Sequence, residues 1–392
     1  GVILDTVGDP ARLAEQGVWS YAFADDVGAS LPAGFAAVSH GRALAAVSLV
    51  RLTAAGTGQP LDEEWLQVEP HSYRRTRAAL TGAAADLAYR YRRRGDVVAD
   101  ATTELRLPRD DRRSELAAAR LLLALGGRAA GQVVRRLLFR QDWNVGVVRR
   151  PIADALKGSD WGDVEWLPAR EGDLFLADPF GIPQDDGRCL LLAEEFVGAS
   201  GRGRIVAAVV DGSRYVSPPQ PVLELDTHLS YPYVLPAGGP EWHFAPESSR
   251  AGEVGLYRLA SESGAARRTG TLLDGFEAVD PTIVEWEGWW WLFATDASRG
   301  EDGHLHIWYA ESARGPWTPH TRNPVKCDVR SARPGGTPFV EDGTLYRPAQ
   351  DDGRTYGGAV VINRVDVLTP TSFSETTVAR LEPDPDGPYP DG

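Results

Sequence analysis

The sequence predicts a mixed chain: an α/β segment at the front, a helical linker, and an all-β five-bladed propeller over the remainder. Three observations carry that expectation. Strand-length apolar runs and an Ala/Arg-rich stretch with helical spacing share the first 110 residues. A second helical pattern covers residues 114–140, and no further helix is legible after it. From residue 143 onward the chain is a series of short β-rich runs punctuated by Gly, Pro and Asp, and these runs repeat. The expected boundaries are therefore 1–110, 111–140 and 141–392, and 392 residues at 43% hydrophobic suffice for two or three domains with cores of their own.

In the front segment, residues 2–4 and 45–52 read as strands and residues 74–94 as a helix. In the linker, Ser114 is a suitable N-cap, and Leu116, Leu121, Leu125, Val133, Leu137 and Leu138 give an apolar face that Gly126 and Gly127 interrupt.

The repeats follow. Four segments open a strand with a polar or aromatic residue before proline: Asp178-Pro179, Tyr231-Pro232, Asp280-Pro281 and Arg333-Pro334, with the prolines 53, 49 and 53 residues apart. A second strand ends at a near-constant offset in Ala and polar groups: Ala193-Glu194-Glu195, Ala245-Pro246-Glu247, Ala294-Thr295-Asp296 and Arg347-Pro348-Ala349-Gln350-Asp351. Third strands are expected at 204–210, 254–259, 305–310 and 358–365, and weaker fourth strands at 221–225, 269–273, 317–325 and 373–381. Four strands per unit of about 50 residues is the arithmetic of a propeller blade. Residues 143–148 and 164–167, together with the tail 383–392, are left to form a fifth blade shared between the two ends.

Composition excludes several classes. Disorder and collagen do not fit 24% charged residues, 42 Gly without a period and 12 Trp. The formal charge of −14 is concentrated in the second part: residues 1–150 hold 21 Arg against 17 acids, and the rest of the chain holds the acidic excess. That sign argues against nucleic acid as a partner, which needs a basic footprint. The apolar run at residues 43–50 is too short for a membrane span and lacks the basic flank of a signal peptide, so a cytoplasmic protein is expected. Cys189 and Cys327 cannot make a disulfide framework and fit a reducing compartment, although one bridge is possible. His304 and His306 share a strand face but lack a third ligand at metal spacing, and neither metal nor cofactor is expected.

In a propeller the first strand of each blade lines the axis, so Asp178, Tyr231, Asp280 and Arg333 should converge at one mouth. The polar ends of the second strands, Glu194, Glu195, Glu247, Asp296 and Asp351, should ring it. Carboxylates in such a group suit glycosidic chemistry, in which one carboxyl protonates the leaving oxygen and another activates water or attacks. Crowding raises the pKa of one and keeps it protonated. Trp242, Trp286, Trp289, Trp290 and Trp291 offer faces that stack on sugar rings, although alternation sends part of the run 289–291 to the core. On this reading Asp178 is the base, Glu247 the proton donor and Asp280 the group that tunes them. Glu195, His228, Tyr231, Trp291, Asp296, Arg333, Arg347, Gln350 and Asp351 would bind a carbohydrate or glycoconjugate. A binding module without chemistry is the alternative, and Asp-Pro is also a common turn device.

Residues 173–181, 228–234, 244–248, 315–320, 323–324, 332–336 and 345–351 together resemble the N-terminal propeller domain of plant glucosamine inositol phosphorylceramide transferases and its bacterial counterparts. That domain is similar to the five-bladed propellers of glycoside hydrolase families 43 and 32. The resemblance implies a base or nucleophile at Asp178 and an assisting acid at Asp280; the fourth unit offers Arg333 where those families carry their proton donor, and Glu247 is the substitute. The front segment, through Gly17-Val18-Trp19-Ser20-Tyr21, Leu31-Pro32-Ala33-Gly34-Phe35 and residues 49–53 and 58–65, is similar to the later half of a formyltransferase catalytic domain. Ser20 and Ala22 stand where that family has Asn and His, which implies a decayed copy. Formyl transfer to an amino sugar would need an imidazole from His40 or His71.

Overall fold

The structure is a computed structural model that describes residues 19–23, 33–52, 57–94, 105–106, 125–128, 143–158, 164–235, 242–260 and 264–389. The chain divides into two compact units, Gly1–Arg140 with Cys327–Val329, and Gln141–Lys326 with Arg330–Gly392.

The first unit is a mixed α/β layer. Strands β1 (Trp19–Phe23), β2 (Leu44–Leu52), β3 (Thr57–Gln67) and β4 (Leu105–Arg106) form one antiparallel sheet in chain order, with helices α1 (Phe35–His40) and α2 (Tyr73–Arg94). α2 packs on β2 and β3. Its buried residues Leu80, Ala83, Ala84, Leu87 and Tyr91 recur at helical spacing and meet Val47 and Leu49 of the sheet and Phe35 and Val38 of α1. The expected helix at 74–94 and strand at 45–52 are both present. The strand at 2–4 lies outside the described residues, as does the linker helix apart from residues 125–128, which are helical.

The second unit holds four antiparallel sheets in series. The first is β7 (Leu174–Pro183), β8 (Cys189–Val197), β9 (Arg202–Asp211) and β10 (Arg214–Leu223); the second is β11 (Ser230–Val234), β12 (Trp242–Glu247), β13 (Glu253–Leu259) and β14 (Arg267–Asp274). The third is β15 (Ala278–Trp286), β16 (Trp289–Asp296), β17 (His304–Ala310) and β18 (Thr318–Pro319), with β19 (Lys326–Cys327) also paired to β17. The fourth is β20 (Phe339–Glu341), β21 (Thr344–Gln350), β22 (Val360–Thr369) and β23 (Ser372–Leu381). Ahead of them, β5 (Gly146–Val147) and β6 (Glu165–Trp166) form a two-stranded ladder.

Each sheet is too short to bury its own faces, so apolar side chains interleave between neighbours. Val145 and Leu167 beside the ladder join Leu176 and Val206 of the first sheet. Leu190, Leu192 and Ile205 meet Phe244 and Tyr257 of the second. Val254 and Leu256 meet Ile283, Leu292 and Trp308 of the third, and Trp291 and Phe293 meet Leu345 and Leu368 of the fourth. Residues from both ends of the unit also meet: the Trp166 and Tyr389 rings lie 4.5 Å apart, and the 3-10 turn Ile152–Lys157 packs on β20 and β23. The arrangement is propeller-like.

Three strands differ from expectation. The one expected at 221–225 is β10, which already starts at Arg214 and ends at Leu223. The fourth first strand does not open at Arg333; Pro334 makes only an isolated bridge to Ala349, and β20 begins at Phe339, because Pro334 has no N–H for a ladder and Gly335 and Gly336 bring no side chains to pack. The strand expected over 317–325 shrinks to Thr318–Pro319, since prolines 316, 319 and 324 cannot donate to a ladder. Both cysteines are free, Cys189 partly exposed and Cys327 buried.

Candidate functional site

Three of the four repeat-opening residues share a backbone conformation that L-residues seldom adopt. Asp178, Tyr231 and Asp280 have φ of 49°, 41° and 51°, and each precedes a proline. A positive φ is costly for a residue with a Cβ, and the following ring disfavours helical-type geometry there as well. The cause is a repeated bulge: Ala177 pairs with Glu194 but Phe180 with Leu192, Ser230 with Glu247 but Tyr233 with Ala245, and Val279 with Thr295 but Thr282 with Phe293. In each strand one extra residue is absorbed at the X-Pro step, which re-aims that side chain. Three such bulges at matching positions of adjacent sheets are a built feature of this unit.

They bring four carboxyl groups and one guanidinium together. Tyr231 N donates to Asp178 Oδ2 at 3.1 Å, and Asp280 N donates to Glu247 Oε2 at 3.2 Å. Each acid thus holds the strained backbone of the next sheet. The Asp178 and Glu194 carboxyls are hydrogen-bonded to each other, and so are those of Glu247 and Asp280. Arg333 Nε and Gln350 Nε2 donate to Asp280 Oδ2 at 2.6 and 2.8 Å. Arg333 also reaches Asp302 Oδ1 at 2.8 Å and the Tyr356 hydroxyl at 3.3 Å, with its guanidinium 5.0 Å over the Tyr356 ring. Glu194, Glu247, Asp280 and Arg333 are buried, whereas Asp178 is only half-buried and carries the solvent-facing edge of the group.

The electrostatics follow from crowding. Burial, then the nearby Asp280 charge, pushes Asp178 up to about 6. Burial and the charges of Asp178, Glu247 and Asp280 hold Glu194 well above the usual carboxyl range. Burial also raises Glu247, against the pull of Arg333 and of the Ser249 hydroxyl, which donates at 2.8 Å. It raises Asp280 as well, although Arg333 opposes it. Four acids facing one cation therefore share protons in pairs.

Tyr231 contributes as a strut. Its hydroxyl lies 2.9 Å from Thr282 Oγ1 and accepts from Gly336 N at 2.9 Å, while the ring packs edge-on to Phe180. Tyr231→Phe leaves the Gly336 amide and the Thr282 hydroxyl without that partner. A loss of about 1–3 kcal/mol in urea unfolding is expected, from the cost of an unmade buried hydrogen bond; an unchanged midpoint would remove Tyr231 from this role.

The structure brings together Asp178, Glu247, Asp280, Tyr231, Arg333 and Gln350, and places His228 beside them, its Nε2 3.5 Å from Glu194 Oε1. The other proposed ligand contacts lie elsewhere, for identifiable reasons. Glu195 points to the opposite face of β8 from Glu194 and is wholly enclosed by Arg170 and Arg204, each at 2.7 Å. Trp291 is core, its Nε1 donating to the Trp286 carbonyl at 3.2 Å. The partly buried Trp242, Trp286, Trp289 and Trp290 pack against the clusters between sheets. Asp296 caps a 3-10 turn through Ser298 N at 3.0 Å. Arg347 is spent on Glu375 and on the carbonyls of Ser331 and Ala332. Asp351 takes the Gly353 amide and Arg380. Glu194, expected on the ring, joins the group, and so do Asp302 and the half-exposed Tyr356, which the sequence pattern does not single out.

A family model described as "Glucosamine inositolphosphorylceramide transferase 1, N-terminal" matches residues 169–385. The chain is 36% identical over 210 residues to glucosamine inositolphosphorylceramide transferase 1 of Arabidopsis thaliana, covering 52% of this chain and 27% of that protein. It is 34% identical over 209 residues to the protein of that name from Oryza sativa subsp. japonica, covering 52% and 28%. The chain thus spans about a quarter of the length of the curated relatives it matches. Among solved structures, a family 43 subfamily 1 glycoside hydrolase of Xanthomonas citri aligns at TM-score 0.42 and 13% identity over 59% of this chain and 81% of that one. The family 117 glycoside hydrolase Zg3597 of Zobellia galactanivorans aligns at 0.40 and 13% over 55% and 74%. The matched residues of the family model cover more than half of the chain and include all four clustered acids and Arg333, and the chain belongs to the family of the glucosamine inositolphosphorylceramide transferase 1 N-terminal domain.

Proposed function

We propose that the second unit is a carbohydrate-active propeller that binds a sugar or glycoconjugate at the acidic group and cleaves or transfers a glycosyl unit there. The four sheets would close as a ring with β5, β6 and the C-terminal residues as a short fifth blade, within the boundary 141–392. The first unit would be a decayed formyltransferase-like copy over 1–110, joined through a linker at 111–140.

One observation carries this reading: in two hydrogen-bonded carboxyl pairs, Asp178 with Glu194 and Asp280 with Glu247, the aspartate stands at a bulged X-Pro step, and burial raises every member of both pairs. Cleaving a glycosidic bond needs a carboxylic acid on one side and a carboxylate on the other. Arg333 and Gln350 both donate to Asp280 Oδ2 and favour its anion, against the burial and the bond within the pair that raise it; on this reading the pair delivers its proton through Glu247. Glu247 would then protonate the leaving oxygen. Asp178, the more open of the acids, would take a proton from the attacking water or attack directly. Tyr356, half exposed above Arg333, supplies the flat face that a sugar ring requires.

A glycan array followed by a reducing-end assay on its hits tests this, with Glu247→Gln as the control. Turnover lost in the variant with binding retained is the expected result; array binding without turnover in the parent protein would reduce the unit to a binding module, and no binding would overturn the reading. The reaction also has a defined acid limb. Because the base must be ionised, rate falls as pH drops through about 6, the position of Asp178, whereas an ordinary carboxylate would hold its rate about two units lower.

A further inference from the structure

The side chain next to the first carboxyl pair is held in one tautomer. Gly203 N donates to His228 Nδ1 at 2.8 Å, so Nδ1 is an acceptor and the neutral ring carries its proton on Nε2. That N–H faces Glu194 Oε1 across 3.5 Å. Neutrality is secured by burial and by Arg250, which lower the His228 pKa against the weaker opposing pull of Glu301. Gly203 is required where it stands, because a Cβ there would collide with Glu194 Oε1 and with the Leu229 carbonyl.

Building on the proposed function, we infer that His228 is a positioning residue for the base: its Nε2–H engages Glu194 Oε1, so that Glu194 offers its own proton to Asp178 and Asp178 is kept as the acceptor of the pair. The polarity of the chain runs one way. Gly203 N–H donates to His228 Nδ1, His228 Nε2 faces Glu194 Oε1 across 3.5 Å, and Glu194 bonds Asp178, whose Oδ2 also receives Tyr231 N–H. A donor on the carbonyl oxygen of a carboxylic acid strengthens that acid as a donor, which stabilises the Asp178 anion at the far end. His228, which sequence reading offered as a ligand contact, thereby acts on the reaction through Glu194 and not on the sugar. The other charged groups around the pair, Asp280 and Arg333 at Asp178 and Glu247 at Glu194, are untouched by a change at position 228.

The test reads the carboxyl directly and needs no substrate. The full chain, carrying ¹³C-labelled Asp and Glu side chains, is titrated by NMR as parent, His228→Gln and His228→Leu, with Asp178→Asn identifying the signal of residue 178. Gln can present an N–H where Nε2 stood, and Leu cannot. His228→Leu is expected to raise the Asp178 midpoint by about half a pH unit or more, and His228→Gln to stay within a few tenths of the parent. Should His228→Leu fail to fold, the ¹⁵N shifts of the His228 ring in the parent decide: Nε2 protonated and Nδ1 bare across the Asp178 transition is the expected result, and a proton on Nδ1 overturns the inference. An unmoved midpoint in a folded His228→Leu protein, or equal shifts in the Gln and Leu variants, overturns the inference. A glycan assay that finds no turnover alongside the expected shifts would sink the proposed function alone, since the titration measures the chain of donors whatever the site does.

Discussion

Asp178→Asn is expected to abolish turnover and to stabilise the fold in the same stroke. An amide cannot accept a proton from water, so the rate should fall by roughly 10²- to 10⁴-fold, the usual worth of a positioned base. The amide oxygen can still receive Tyr231 N–H, which in the parent binds Asp178 Oδ2 at 3.1 Å, and the bulge need not move. The stability effect has the opposite sign. Asp178 titrates at about 6 in the folded chain against 3.8 as an isolated group, so the native state binds the extra proton between those values. Stability attached to this group is therefore fully present at low pH and is lost as pH rises through about 6. At pH 8 the parent still carries that cost, on the order of 3 kcal/mol, and the amide does not. Thermal unfolding at pH 8 should show the variant melting roughly 5 °C higher, with the gap closing toward pH 4. A variant that loses activity and melts lower would mean that Asp178 is a structural acid. One that keeps activity would remove it from the chemistry.

The repeat structure was legible because the X-Pro steps recur at nearly fixed intervals, and each repeat became one sheet. Which acids enter the site was only half legible. The repeat pattern points to Glu194, Glu195, Glu247, Asp296 and Asp351, and of these only Glu194 and Glu247 join the group. The governing variable is cross-strand register: the site position is the one paired with the residue before the bulge, which is Glu194 opposite Ala177, Glu247 opposite Ser230 and Thr295 opposite Val279. A step of one residue moves a side chain to the other face, so of the adjacent Glu194 and Glu195 only the first meets the group. Single-sequence spacing does not report where a bulge absorbs its extra residue. The Trp run failed for a related reason: neighbouring sheets bury large faces against each other, and that demand claims Trp291 before any ligand can. Tyr356 carries no repeat signal at all, since it sits on a loop between β21 and β22.

Arg347→Met is expected to be the most damaging substitution in the fourth sheet, and it separates structural acids from chemical ones. Arg347 is 1% exposed and donates through Nε and Nη2 to Glu375, while Lys326 reaches the same carboxylate at 2.7 Å. Burial alone would raise Glu375, yet Arg347 and Lys326 outweigh it and hold its pKa below the usual range. Glu194 is also a buried glutamate on a strand, and it is displaced the other way because its neighbours are carboxylates. The two environments make opposite predictions from one residue type. Removing Arg347 strands a buried anion and two carbonyls, at a cost of about 3–5 kcal/mol in denaturant unfolding. Stability from Glu375 is present above its ordinary pKa and is lost as pH falls through the depressed one, the reverse of the Asp178 dependence. Arg347→Met combined with Glu375→Leu should recover most of the loss, because two apolar side chains of similar bulk leave no buried anion, and Lys326, 20% exposed, can turn its ammonium to water. A double variant as unstable as the single one would show instead that the Arg347 bonds to the Ser331 and Ala332 carbonyls dominate. Those carbonyls immediately precede Arg333, so such a result would place the support of the hub arginine in the backbone of that turn and not in the ion pair behind it.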